Sequence, residues 1–398
     1  MGEINKEMEK LRVGVIGMGN MGTAHAYCIA NGDIEGLKLA AVCDINLQKT
    51  ETICKEHTEL KAFCDYKKLL KSSETDAVII AVPHPLHAEI AMAALSKGLH
   101  VLLEKPADIS VSRVKKLNEL AEKTEKCFAI MFNQRTNPLF AKARKIVKSG
   151  ELGELKRTVW TVTNWYRTQS YYNSGDWRAT WAGEGGGVLL NQAPHNLDLW
   201  QWICGMPESV TAFCDVAKFH DIEVEDDATI FTRYKNGATG VFITSTGEYP
   251  GTNRLEISGT LGKIVLENGV LKHWKLKTDE REFCYNSGES FPSIEYDYAE
   301  IKSQEKETAH RGILQNFANA VLKGEELLSP GCDGINELTL SNAAYLSQWT
   351  GNKEIKIPFE TQEFDELLAE RAANSNYKSI TKNKTAKGEY SKRWQVNW

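Results

Sequence analysis

The chain has 398 residues, 42% of them hydrophobic and 25% charged, enough for two domains with substantial cores. A formal net charge of -5 and a pI near 6.1 offer nucleic acid no global attraction. No apolar run approaches the ~20 residues that span a bilayer, and no pair of the nine cysteines has C-x-x-C spacing, so a membrane span, a zinc ribbon and a redox motif are all excluded.

The first ten residues are polar and mixed in charge, unlike a signal peptide. Scattered cysteines in a chain without a leader fit reduced thiols and a cytoplasmic location. From Leu11 the pattern alternates. Strand-like runs are expected at Leu11–Ile16, Leu37–Cys43, Ala77–Val82, Val101–Leu103 and Cys127–Phe132. Helical runs lie between them at Asn20–Ala30, Leu47–His57, Leu86–Lys97 and Val111–Lys123. Continuous apolar strands joined by crossover helices imply a doubly wound parallel sheet covered on both faces. The fold class is therefore α/β, with an N-terminal Rossmann domain over residues 1–132.

The first strand runs into Gly17-Met18-Gly19-Asn20-Met21-Gly22, a G-x-G-x-x-G. Gly17 allows the tight turn, Gly19 lets a pyrophosphate approach the backbone, and Gly22 lets helix and strand pack closely. The helix that follows presents free N–H groups to an anion. Asp44, 22 residues past Gly22 at the end of the second strand, suits the adenosine ribose hydroxyls and repels a 2′-phosphate. The expected cofactor is NAD rather than NADP. The loop Pro83-His84-Pro85-Leu86-His87 leaves the Ala77–Val82 strand where the nicotinamide half would run. His84 is expected to line the cofactor, and His87 to hold the loop. Another strand ends in Glu104-Lys105-Pro106, which places an ammonium group where that strand leaves the sheet. Lys105 is thus a candidate catalytic residue.

After Phe132 a second domain is expected over residues 133–370. It opens with a helix at Pro138–Lys148 and a strand at Leu155–Trp165. Strands near Ser209–Phe213, Asp227–Tyr234, Ala238–Ser245, Arg254–Ser258 and Gly262–Glu267 are separated by tight turns, as in an antiparallel sheet. Helices at Thr308–Leu322 and Gly334–Thr350 and a last strand at Glu354–Phe359 complete it. Asn164–Trp181 is dense in aromatics and cations suited to a sugar, Tyr166, Tyr172, Trp177 and Arg178 among them. A triple glycine, Gly185–Gly187, leads into an expected helix holding Asn191, Pro194, His195 and Asp198. Spacing of four puts Asn191 and His195 on one helical face, with Asp198 close enough to touch the His195 ring. The basic segment 371–398, with Trp394 and Trp398, is expected to be an arm that packs on a neighbouring subunit. The strand residues Val241, Phe242 and Ile243 suggest an open face for pairing into homodimers or homotetramers.

These segments together resemble the Gfo/Idh/MocA family of NAD(P)-dependent sugar oxidoreductases: Gly17–Gly22, Pro83–Glu89 with Glu104-Lys105-Pro106, and Gly185–Asp198. The resemblance implies a Rossmann domain followed by an α+β domain with an open-faced, mostly antiparallel sheet. It implies a cofactor side that includes Pro83, His84, His87, Glu104 and Lys105, with Lys-Pro often a cis bond. Trp177 and Arg178 match a pair that lies at the nicotinamide end in some members. Arg135, Tyr166, Tyr172, Asn191 and His195 join them on the substrate side. The family's usual aspartate four residues before the histidine is Asn191 here, so Lys105 and His195 are expected to divide the acid–base work. The reaction expected is hydride transfer between NAD and a secondary alcohol or ketone of a sugar, cyclitol or glycoside, without a metal. A redox-neutral, NAD-dependent glycosidase and a non-catalytic NAD-sensing protein are the rival readings.

Overall fold

The structure is a computed structural model that describes residues 10–375. They form two compact units. The first takes 10–108, 112–133 and 308–335; the second takes 109–111, 134–307 and 336–375.

The first unit is a six-stranded parallel sheet: β1 (Leu11–Ile16), β2 (Leu37–Cys43), β3 (Lys61–Phe63), β4 (Ala77–Ile80), β5 (His100–Leu103) and β6 (Phe128–Ile130). The order is β3-β2-β1-β4-β5-β6, so the winding reverses between β1 and β4. Ligand crevices of open α/β sheets form at such a point, beyond the carboxyl ends of the strands. Val13, Val15, Ile79, Ile80, Leu102 and Leu103 are fully or almost fully buried, as expected of strands covered on both faces. β3 and the helix Tyr66–Lys71 escape a reading by periodicity: the strand is three residues long and mostly exposed, and the helix is one short turn and a half started by the Asp65 side chain.

The helix Ala309–Lys323 belongs to this first unit, although it lies almost two hundred residues beyond the last strand of the sheet. Ile313, Leu314, Phe317 and Ala318 form one apolar stripe and join the cluster of Leu11, Val13, Leu37 and Ile79. The chain then passes beside β6, where Ile130 N donates to Ser329 O (3.0 Å). A linear reading carries the second domain without interruption from 133 to 370, whereas 308–335 complete the core of the first unit.

The second unit is built on a nine-stranded sheet: β7 (Leu155–Val162), β8 (Ser209–Val216), β9 (Glu225–Arg233), β10 (Thr239–Ser245), β11 (Asn253–Gly259), β12 (Gly262–Glu267), β13 (Val270–Leu276), β14 (Tyr296–Ile301) and β15 (Ile355–Lys356). Its order is β14-β13-β12-β11-β7-β10-β9-β8-β15. Only β7 and β10 run parallel; every other neighbouring pair is antiparallel. On the inner face Trp200 stacks on Phe242 (5.5 Å), and Trp160 meets the same ring edge-on (6.1 Å). Phe242 therefore belongs to the core, and only its neighbours Val241 and Ile243 turn to the other face, as the two-residue period of a strand requires. β14 was not apparent in the sequence because Tyr-Asp-Tyr-Ala-Glu-Ile is exposed along almost its whole length and so has no buried alternation. The helix Thr361–Ala373 buries only Phe364 and Leu368, one pair at i,i+4. Most of the expected basic arm, from residue 376 onward, lies outside the described residues.

Candidate active site

β1 ends in a loop that tolerates no side chain at two of its glycines. Gly17 has a φ of +93°, and a Cβ there would lie 2.4 Å from the Ala81 carbonyl oxygen. A Cβ on Gly22 would lie 1.7 Å from Gly17 O. Gly19 is different: no atom lies within 4 Å of where its Cβ would be. The first two glycines serve packing, and the third leaves exposed backbone at the start of the helix Asn20–Ala30. No side chain caps that helix, so its first N–H groups face outward as an anion site. Asp44, almost buried at the end of β2, accepts from Met18 N (2.8 Å) and Asn46 N (2.9 Å). It ties the glycine loop to the strand exit, with Lys49 Nζ 3.5 Å away. This cradle fits a dinucleotide, with pyrophosphate at the helix start and ribose near Asp44.

The exit of β5 is held from beneath. Glu104 is buried and accepts from His25 Nε2 at 2.7 Å. Its other oxygen receives Lys105 N at 3.2 Å. The His310 ring lies 5.8 Å from that of His25. Burial alone would push the Glu104 carboxyl upward, but the hydrogen bond and charge of His25, with His310 and Lys105, hold it at about 2. His310 itself is pushed down to about 4, chiefly by burial. Lys105 is only partly buried, and the Lys105–Pro106 bond is cis. His87 is buried, with Nδ1 2.6 Å from Pro106 O and Nε2 2.8 Å from Val82 O. It ties the exits of β4 and β5 together, so both its nitrogens are directed at the protein's own backbone. His84 is buried beside it, ring centroids 5.8 Å apart, and Pro83 is exposed. His25 and His310 were not anticipated. His25 lies three residues past Gly22, on the first helix, a position that carries a signal only once Glu104 is known to lie beneath it.

In the second unit the helix expected from 188 onward is two helices. Val188–Asn191 ends, and Pro194 opens a second one to Cys204. Proline is suited to a first helical position, where its missing N–H is not needed. Asn191 and His195 therefore sit on different helices rather than one continuous face. The three glycines before them are required by crowding: a Cβ on Gly186 would lie 2.2 Å from Tyr345 Oη, and one on Gly187 1.9 Å from Glu225 O. The buried Glu225 carboxylate accepts from Gly187 N and Leu189 N (2.9 Å each) and from Tyr345 Oη (2.7 Å). Burial pushes it up to about 7 despite those donors.

Asp198 forms a buried fork with Arg135, Nε to Oδ2 at 2.8 Å and Nη2 to Oδ1 at 2.6 Å, and accepts from Gln201 as well. Arg135 is only 2% exposed, its guanidinium 5.3 Å from the Trp202 ring. A guanidinium locked in this buried ion pair braces the helix Pro194–Cys204. Asp198, expected beside His195, is engaged by that guanidinium. Tyr172 is likewise interior, its hydroxyl 2.7 Å from Thr246 Oγ1 and its ring 4.9 Å from that of His220. Tyr166 is exposed and packs against Tyr249.

A different group gathers around Asn191. Arg178 lies over the Trp177 ring (4.5 Å) and donates to Tyr171 Oη (2.9 Å). Tyr171 Oη lies 3.4 Å from Asn191 Oδ1, and Gln192 Nε2 donates to the same hydroxyl at 3.3 Å. Asn191 Nδ2 donates to Glu184, whose other oxygen accepts from Ala179 N at 2.6 Å. Trp177, Arg178 and Asn191 are thus brought together, with Tyr171 and Glu184 added. Glu184, immediately before the triple glycine, had no periodic signal of its own.

A glycine loop open at a helix start, an acidic residue closing the second strand and a lysine at the exit of the fifth define a dinucleotide-binding oxidoreductase. Residues 11–132 match an oxidoreductase family with an NAD-binding Rossmann fold, and residues 140–265 match the GFO/IDH/MocA C-terminal domain. The chain belongs to the Gfo/Idh/MocA family. It is 26% identical to the myo-inositol 2-dehydrogenase of Thermotoga maritima, across 84% of this chain and 95% of the relative. It is 25% identical to the scyllo-inositol 2-dehydrogenase (NAD(+)) of Bacillus subtilis, across 84% and 93%. Among solved structures it resembles the WlbA dehydrogenase of Bordetella pertussis in complex with NADH and UDP-GlcNAcA, with 25% identity, a TM-score of 0.73, and coverage of 88% of this chain and all of that one.

Proposed function

We propose that the protein is an NAD-dependent dehydrogenase acting on a secondary alcohol of a sugar or cyclitol. The observation that carries this reading is the β5 exit: a partly buried lysine on a cis Lys-Pro bond, tied from below by buried Glu104 and His25 and from the side by His87. The inositol dehydrogenases similar to this chain over most of its length support a polyol substrate. When bound, NAD supplies the hydride acceptor. The chain's own groups handle the proton and the oxygen: His195 takes the hydroxyl proton, and Lys105 donates a hydrogen bond to the oxygen as its charge develops. Trp177 and Arg178 offer a face and a donor to the sugar ring, and Asn191 orients one hydroxyl.

An assay of NADH absorbance against cyclitols, aldoses, sugar acids and glycosides tests the reading. NADH accumulating with a cyclitol or sugar supports it. Aglycone release without NADH would instead identify a redox-neutral glycosidase, and NAD binding with no turnover on any member of the panel would identify a sensor.

A further inference from the structure

The lead into Asn191 has no cap of its own. The short helix Val188–Asn191 opens on Gly187, which carries no side chain to receive its first N–H groups, and Val188, Leu189 and Leu190 are fully buried. Those N–H groups need partners within the protein. The partner comes from a distant part of the chain. Glu225, the first residue of β9, receives Gly187 N on Oε2 and Leu189 N on Oε1, both at 2.9 Å. Tyr345, on the helix Gly334–Trp349, donates its hydroxyl to the same Oε1 at 2.7 Å. Bonding the second N–H of a helix is the work of a side chain at the cap position. Here a carboxylate 36 residues beyond Leu189 does it. A local substitute is excluded by crowding, since a Cβ on Gly187 would lie 1.9 Å from Glu225 O. The consequence runs forward along the chain. Asn191 N donates to Gly187 O (2.9 Å), Ala193 N to Val188 O (2.8 Å) and Leu197 N to Ala193 O (2.9 Å). Each turn is thus built on the one before it, from Gly187 through Asn191 to the helix that carries His195. β9 lies inside the nine-stranded sheet, between β8 and β10, and is held on both sides.

We infer that Glu225 is a positioning residue: its carboxylate anchors the start of this lead to β9 and so sets where Asn191 and His195 stand. The part those two residues take in the reaction rests on the dehydrogenase reading, whereas the anchor stands on contacts within one unit. An ionised carboxylate has only acceptors, and the three groups around it all donate. An amide cannot replace it. Whichever way it turns, its NH₂ faces the N–H of Gly187 or that of Leu189. The charge is nevertheless unfavourable in this setting, because burial pushes the carboxyl up to about 7. The titratable groups that face it, Tyr345 and Cys214 of β8, are neutral and are themselves pushed up by burial. The other acidic residues on these two strands have partners of their own: Asp215 and Asp227 bind Lys218, and Asp226 binds His220. Replacing a buried charge by a neutral group relieves desolvation. Positioning and stability therefore part ways at this residue, and that separates an anchor from a general loosening of the fold.

The wild type is compared with Glu225→Gln and Tyr345→Phe, with active sites counted by NADH binding so that unfolded protein does not enter kcat. Glu225→Gln is expected to lower kcat by ~10- to 100-fold, as for a group displaced by about an ångström, with the KM for NAD unchanged. Its crystal structure is expected to show residues 187–195 displaced from β9. Its urea midpoint should fall less between pH 5 and pH 8 than that of the wild type, because the raised carboxyl favours the folded state only while protonated. Turnover falls, then, while resistance to unfolding at pH 8 relative to pH 5 rises. Tyr345→Phe leaves both backbone bonds to the carboxylate and should lose less turnover than Glu225→Gln. Should Glu225→Gln not fold, Glu225→Asp takes its place: its carboxylate is withdrawn by one methylene, and the same loss of kcat and the same displacement are expected. The inference is overturned if Glu225→Gln keeps the wild-type kcat, if its lead lies where that of the wild type lies, or if Tyr345→Phe is equally slow. A wild type that oxidises no sugar or polyol refutes the dehydrogenase reading, while the crystal structure of Glu225→Gln still decides the anchor.

Discussion

Two buried glutamates underlie the two functional segments, and they are held in opposite ways. Glu104, beneath the Lys105 strand exit, faces His25, with His310 and Lys105 nearby, and its carboxyl is held at about 2. Glu225, beneath the glycine-rich lead to Asn191, faces backbone N–H groups and the Tyr345 hydroxyl, and burial pushes its carboxyl up to about 7. Both are buried to a similar degree. Burial sets the size of the penalty on a charge; the partners decide whether the charge survives. The short hydrogen bond from His25, with Lys105 close by, keeps Glu104 ionised, whereas the donors around Glu225 leave it near the point of taking up a proton.

The widest effect concerns the residues these segments present. Lys105→Ala and His195→Ala should each lower kcat by ~10²–10⁴, the usual cost of losing a positioned acid–base group. NAD affinity measured by fluorescence titration should stay near that of the wild type. If both serve one proton-handling step, the double variant should lose less than the product of the two single losses. Near-normal turnover in either single variant would remove that residue from the reaction.

The next effect sharpens the contrast between the glutamates. Glu104→Gln withdraws the charge that faces His25 in a buried setting and should cost about 3 kcal/mol in urea unfolding at neutral pH. Glu225→Gln should behave differently. A carboxyl whose folded value is raised from 4.5 to about 7 favours the folded state at low pH, and that advantage fades as the pH rises through about 7. The wild type should therefore lose roughly 3 kcal/mol of stability from this group between pH 4.5 and pH 8, and Glu225→Gln should lack this component. Glu104 has the opposite sign. Its contribution is complete above about 4.5 and disappears as the pH falls toward 2. Equal slopes for the wild type and Glu225→Gln between pH 5 and pH 8 would mean that Glu225 is ionised throughout.

The smallest expected effect is at Asp44, where the partners are again backbone N–H groups, with Lys49 Nζ 3.5 Å away. Asp44→Asn turns an amide NH₂ toward either Met18 N or Asn46 N and should cost ~1 kcal/mol of NAD binding, with a smaller loss for NADP, readable by titration with both dinucleotides. An unchanged ratio would show that Asp44 serves the loop and not the choice of cofactor.

Much of the first unit could be read along the chain. β4 is a continuous apolar run, β1, β2 and β5 are apolar but for Arg12, Lys38 and His100, and Gly17–Gly22 sits between strand and helix. Lys105 was visible for the same reason, as a charge at the end of a buried strand. The second unit was less legible, because β14 is exposed and the lead to His195 is broken by Pro194 into two short helices. The burial of Arg135 and Tyr172 was not legible, since a cation and a phenol in a sequence do not show which way they point.

Local chemistry settled which segments become strands, where the phosphate loop forms and which strand ends in an amine, because these depend on neighbours a few residues apart. Tertiary structure alone decided that Ala309–Lys323 completes the first core, that Arg135 pairs with Asp198, and that the Asn191 amide donates to Glu184. Each of these depends on where groups meet in space and on what compensates a charge once water has been removed.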